Sequence, residues 1–154
     1  VLTVPELRQL TMQVAQDVRA GRHQVQVDPE RRWYQLLSSD GYVDVWLISW
    51  AREQIAELHD HAGSLGALTV VSGVLTEHAW NRRGLRTRTL PAGVSVGFKA
   101  GHVHDVTNVA PVPAVSVHAY SPPLTAMSYY RVEPDGRLRR TRSELTREPE
   151  AVGA

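Results

Sequence analysis

With 154 residues the chain is sized for a single domain, 1–154, with a genuine hydrophobic core. Its net charge of +1 gives no general attraction to nucleic acid or to an anionic membrane. Nothing in it reads as a leader peptide or as an apolar span of ~18 residues, so a soluble, cytoplasmic protein is expected. There is no cysteine, which excludes a disulfide and a thiolate metal ligand; a metal would have to be held by nitrogen and oxygen, and seven histidines are available.

Residues 3 to about 20 read as a helix, within an N-terminal segment of about 1–21. Thr3 and Glu6 form a capping-box pattern and Pro5 sits in the first turn. Leu7, Leu10, Val14 and Val18 make an apolar stripe, and Gly21 supplies the stop. Beyond it come short runs rich in β-branched and aromatic residues: 42–50, 67–80, 85–90, 94–98 and 112–121. Many short strands behind one helix predict a mainly β protein, an antiparallel barrel or sandwich occupying about 30–132. A hairpin is expected at 133–137, then a flexible tail over about 143–154; the basic run 136–142 reads as a solvated terminus. Trp46, Trp50 and Trp80 are expected in the core, and His23 and His78 at the surface.

"HDHAGSLG" (59–66) places His59 and His61 two residues apart, so that on a strand both side chains reach one point. Alone, the pair is as compatible with an exposed polar face as with two metal ligands. A second stretch, "GHVHDVTN" (101–108), holds Gly101, His104 and Asn108 in the spacing G-x2-H-x3-N. A third, "SVHAYSPPL" (116–124), alternates Ser116, His118 and Tyr120 along one strand face. A hydroxyl there can orient an imidazole, and the imidazole a phenol.

These stretches resemble the two motifs of the cupin superfamily. The first motif is matched by His59, His61 and Gly73, and the second by Gly93, Gly101, His104 and Asn108. Glu53 stands in place of the opening glycine and Lys99 in place of a proline. The resemblance implies a double-stranded β-helix (jelly-roll) barrel with an N-terminal helical segment, and selects His104 as the third ligand, leaving His102 at the rim or behind the ligands. Gly66 falls where most cupins carry a glutamate ligand. Three neutral imidazoles leave a 2+ charge uncompensated, which favours an anionic substrate atom such as a thiolate.

With the third stretch added, the chain resembles the thiol dioxygenases, the cysteine dioxygenase family in particular, from about Trp33 to Tyr130. The resemblance implies iron(II) on His59, His61 and His104, dioxygen as co-substrate, and Ser116, His118 and Tyr120 as the triad behind the metal. It implies oxidation of a small thiol, with L-cysteine foremost, to a sulfinic acid. Animal members cross-link a cysteine, at the position of Gly66, to the tyrosine; this chain is of the bacterial type with glycine. A cis peptide at Ser121–Pro122 is also implied.

The family's cysteine-specific members hold the substrate carboxylate with the arginine of a Tyr-x-Arg segment. Here "RRWYQLL" (31–37) puts Leu36 there or, with the match shifted by one residue, Gln35, as in relatives that prefer 3-mercaptopropionate. Tyr34, Gln35 and Arg131 are the candidate substrate contacts, with Arg31, Arg32 and Arg52 as further cations for the carboxylate. Two other readings stay open: a biosynthetic oxygenase acting differently on cysteine or another small thiol, and a cupin that binds a metal or small ligand without catalysis. The expected partner is a small thiol, with neither nucleic acid nor membrane, in a monomer or weak homodimer.

Overall fold

One helix and eleven strands account for the regular structure of residues 1–149, the part of the computed structural model described here. Helix α1 (Val4–Arg19) opens on the expected capping box, with Thr3 Oγ1 accepting from the Glu6 N–H and the Glu6 carboxylate accepting from the Thr3 N–H. Its buried face differs from the expected stripe. Leu7, Thr11, Ala15 and Val18 are buried, while Leu10 and Val14 are partly covered. Small residues turn inward because the helix lies close on a sheet. The Thr11 hydroxyl is 2.8 Å from that of Thr69, and a Cβ on Gly97 would lie 2.3 Å from Val4 Cγ1.

The strands are β1 (Trp33–Ser39), β2 (Asp44–Trp50), β3 (Ile55–Asp60), β4 (Leu65–Ser72), β5 (Val74–Asn81), β6 (Gly84–Pro91), β7 (Ser95–Phe98), β8 (His104–Thr107), β9 (Ala114–Ser121), β10 (Ala126–Val132) and β11 (Leu138–Leu145). They pair antiparallel in two sheets, ordered β1-β2-β9-β4-β7 and β11-β10-β3-β8-β5-β6. One core lies between the sheets, where Trp46, Ile48, Trp50 and Leu68 meet Ala56, Leu75, Leu90 and Val106. A second lies between α1 and the outer face of the first sheet, built on Val45, Leu47, Ala67, Val117 and Ala119. The period of two therefore sorts β9: Val115, Val117 and Ala119 face the helix, and Ser116, His118 and Tyr120 face the barrel interior. Strand β2 is buried at all seven positions because both of its faces are covered.

Several expectations are corrected. The run 67–80 is two strands in different sheets, because at Gly73 (φ +74°) the chain crosses from one sheet to the other. A Cβ there would lie 2.7 Å from the Pro113 carbonyl oxygen, so glycine is required. Strands β1 and β11 lie at sheet edges, and their exposed polar residues hide the apolar pattern. Ser143, Glu144 and Leu145 belong to β11, pairing with Ser128, Met127 and Ala126, so this part of the expected tail is strand; residues 150–154 lie outside the described residues. The basic run is the hairpin turn and β11 rather than a loose terminus: Arg142 pairs with Glu57, and Arg140 lies over the Tyr130 ring. Trp46 and Trp50 are core residues, but Trp80, near the end of the β5–β6 hairpin, is half-buried. No helix among the described residues is long and apolar enough to cross a membrane.

Candidate metal centre and its relay

His59 is the penultimate residue of β3, His61 follows the strand, and His104 opens β8, the strand paired with β3 so that His59 lies opposite His104. One ligating nitrogen from each lies within 4.8 Å of the others, and all three rings are buried at 2–3% exposure. His59 Nδ1–H donates to the Glu57 carbonyl oxygen, and His104 Nδ1–H donates to Glu77 Oε2 at 2.7 Å. In both rings this leaves Nε2 as the nitrogen that can present a lone pair to a metal; His59 Nε2 is 3.1 Å from His61 Nε2. Burial, and then the neighbouring imidazoles, hold His61 well below the ordinary histidine range. His104 is lowered to about 4, with burial outweighing the opposing pull of Glu77. Neutral imidazoles converging on one point are the donor set that a divalent metal requires, so the residues fit such an ion.

Behind the centre stands the β9 triad. Trp50 Nε1–H donates to Ser116 Oγ at 2.9 Å, and Ser116 Oγ is 2.8 Å from His118 Nε2. His118 Nδ1 is 3.4 Å from the Tyr120 hydroxyl. Burial first, then the charges of His104, His59 and Arg32, lower His118 to about 3, so it is neutral at pH 7. The indole only donates, so the serine oxygen accepts from it. With the serine hydrogen turned toward His118 Nε2, the imidazole proton sits on Nδ1 and faces the tyrosine oxygen. The Tyr120 ring lies 4.8 Å from that of His61.

Gly66 lies in register between Tyr120 on β9 and Phe98 on β7. The Phe98 ring fills the space that a side chain on Gly66 would take, stacks on His61 at 5.1 Å, and covers His102 at 5.9 Å on its other side. Among the described residues the centre thus has no carboxylate in place of the glutamate of other cupins. Glu53 stands at φ +68°, in the left-handed region, so the motif's opening glycine position keeps its backbone shape without glycine. Asn108, fully buried, donates to the carbonyls of Trp50 and Val112 and ties the loop before β3 to the loop after β8.

Of the candidate substrate contacts, Tyr34 packs against the interior core, in edge contact with Trp46, and its hydroxyl donates to Glu148 Oε2 at 2.7 Å. Gln35 points to the opposite face and is exposed, as is Leu36. Arg131 is exposed on β10 and pairs with Glu133, and Arg31 and Arg52 are exposed. Arg32 alone of the four arginines reaches the interior: its guanidinium lies 5.2 Å over the Trp50 ring, and its charge is felt at His118. His78 Nδ1–H donates to Asp105 Oδ1 at 2.6 Å. Glu77, Arg88 and Phe98 were not expected from the sequence. A signal for Glu77 exists in "VLTEHAW" (74–80), where a lone carboxylate stands in phase with buried Leu75 and therefore needs partners inside.

The structure is similar to that of a Thermus thermophilus protein, with a TM-score of 0.57 at 20% identity over 64% of this chain and 90% of that one. A Klebsiella pneumoniae protein with a double-stranded β-helix domain gives 0.57 at 18% identity over 91% and 95%. An RmlC-like cupin of Desulfovibrio desulfuricans gives 0.57 at 16% over 66% and 92%. At these identities the likeness establishes the cupin fold. No curated protein matches the chain. Residues 2–132 match the family described as cysteine dioxygenase type I, a span that contains α1, both sheets up to β10, the three histidines and the relay. The chain is a cupin with a buried cluster of three histidines that could hold a metal ion, and it belongs to the cysteine dioxygenase type I family.

Proposed function

We propose that the protein is an iron(II)-dependent thiol dioxygenase that converts a small thiol bearing a carboxylate, L-cysteine foremost, to its sulfinic acid. The observation that carries this reading is a three-imidazole centre with a Ser116–His118–Tyr120 hydrogen-bond relay ending beside it. Iron(II) on these ligands would supply the redox chemistry that brings thiolate and dioxygen together, so that both oxygen atoms end on sulfur. Phe98 over Gly66 keeps a protein anion away, which leaves the thiolate as the charge partner. Tyr120 is the catalytic residue of the relay, donating its O–H to the reacting oxygen or the substrate head. Ser116 and His118 hold that proton in place.

Arg32 is the carboxylate anchor in this reading. It lies two residues before Tyr34, and its guanidinium lies over the Trp50 ring at 5.2 Å. A carboxylate between Arg32 and the metal would be dehydrated by Trp46, Trp50 and Tyr34. Metal analysis of the protein as purified, followed by oxygen uptake with cysteine, cysteamine and 3-mercaptopropionate, tests the reading. Iron with stoichiometric sulfinate from cysteine supports it. Zinc with no oxygen uptake from any of the three thiols overturns it.

A further inference from the structure

Glu77 is fully buried and lies one layer behind the metal ligands. One carboxylate oxygen accepts from His104 Nδ1 at 2.7 Å and lies 3.8 Å from His102 Nε2; the other accepts from Arg88 Nε. Nitrogen and oxygen atoms of Glu77, His102 and His104 also cluster within 4.8 Å, a geometry that admits a second cation. The surroundings argue against one. Arg88 already occupies one carboxylate oxygen, and it shares with Arg86 and His102 the wall of a surface pocket of about 360 Å³. A divalent ion there would face two guanidinium groups.

We infer that Glu77 is a positioning residue. It fixes His104 in the Nδ1–H tautomer, so that Nε2 presents its lone pair to the metal, and Arg88 keeps the carboxylate in place to do so. The inference rests on the three-histidine centre proposed above and extends it to the atom that makes the third imidazole a competent ligand. Charge and shape both follow from hydrogen-bond inventory. A carboxylate accepts from two donors at once, from His104 and from Arg88. Glutamine has one acceptor oxygen, which the charged Arg88 claims, and its NH₂ then faces His104. That ring nitrogen must accept, so the ring proton moves to Nε2 and blocks the metal-facing atom.

The test has a metal-free part and a metal-bound part. In the metal-free wild-type protein, ¹⁵N chemical shifts of His104 should report the Nδ1–H tautomer, and in Glu77→Gln the Nε2–H tautomer. Competition with a chromophoric chelator should then show iron(II) bound about 10- to 100-fold more weakly by Glu77→Gln. Glu77→Asp should recover part of that loss, and Arg88→Met should weaken binding less than Glu77→Gln, because the acceptor for His104 remains. An Nε2–H tautomer in the wild-type protein overturns the inference, and this result does not depend on any variant folding. A folded Glu77→Gln protein that binds iron(II) within about 3-fold of wild type overturns it equally. If the wild-type protein binds no iron(II), the metal reading fails, while the tautomer measurement still decides the role of Glu77.

Discussion

The ring of Phe98 stands where a side chain on Gly66 would have to go: a Cβ at Gly66 would lie 2.0 Å from Phe98 Cε2 and 2.6 Å from Cζ. Relatives that carry a cysteine at this position need that space for the sulfur, which then reaches the tyrosine. Here Phe98 occupies it, and the ring also stacks on His61 and touches Tyr120. Gly66→Cys should therefore fail to form a cross-link to Tyr120 and should lower stability by about 1–3 kcal/mol through overpacking. Gly66→Cys with Phe98→Ala should recover space and allow the link. Intact-mass and tryptic analysis after turnover reads both outcomes; a cross-link in the single variant would show that Phe98 yields easily.

The relay predicts different effects at its two ends. Tyr120→Phe should keep its metal and its affinity for thiol, yet turn over ~10- to 1,000-fold more slowly, the scale of one preorganised donor. Trp50→Phe removes the donor to Ser116 and also part of the ring surface under Arg32. It should lower kcat less than Tyr120→Phe does and should raise KM, because the carboxylate anchor loses support. Steady-state oxygen uptake on metal-loaded protein separates these cases, and an iron-depleted Tyr120→Phe protein would make Tyr120 a ligand instead.

Arg32 is the one arginine of the four weighed for the carboxylate that reaches the interior, and cysteine should be preferred to cysteamine because of it. A charge-assisted hydrogen bond of about 1.5–3 kcal/mol gives a preference of roughly 10- to 150-fold in kcat/KM. Arg32→Ala should reduce that preference to a few-fold, whereas Arg131→Ala, at an exposed residue paired with Glu133, should leave it intact. The ratio of the two specificity constants in each variant is the measurement.

Glu53 holds a left-handed backbone at φ +68°, a conformation that disfavours a residue with a Cβ by about 1–2 kcal/mol. Glu53→Gly should accordingly stabilise the protein, by about 1 kcal/mol once the greater entropy of unfolded glycine is subtracted. Its backbone N–H donates to the Asn108 carbonyl at 2.7 Å, a bond that glycine keeps. Urea denaturation of the two proteins at one pH checks the sign.

The buried histidines predict an acid-labile apoprotein. His104 is lowered to about 4 and His118 to about 3, both first by burial, whereas the unfolded chain takes up these protons near 6.5. Below that value the unfolded state binds more protons than the folded one. Stability is therefore fully present above about pH 6.5 and is lost as pH falls toward 4. The slope is about 1.4 kcal/mol per pH unit for each histidine that stays neutral. Chemical denaturation of metal-free protein at pH 7, 6 and 5 measures it, and His118→Gln should flatten the slope.

Much of this protein is legible in the residues themselves. The capping box at Thr3 and Glu6, the two-residue spacing of His59 and His61, and the alternation of Ser116, His118 and Tyr120 are local patterns, while His104 is marked by its motif and brought opposite His59 by the pairing of β3 with β8. Tertiary structure decided what depends on elements far apart in the chain. Thr11 and Ala15 displace Leu10 and Val14 from the buried helix face because the distance to β4 favours small side chains. Arg32, and not the candidate substrate contact Gln35, reaches the interior because β1, an edge strand, takes its phase from pairing with β2 rather than from its own residues. Phe98 over Gly66, and Glu77 between His104 and Arg88, join strands that meet only across a sheet. A one-dimensional pattern specifies which face a side chain takes; only the packed sheets specify which distant side chain meets it there.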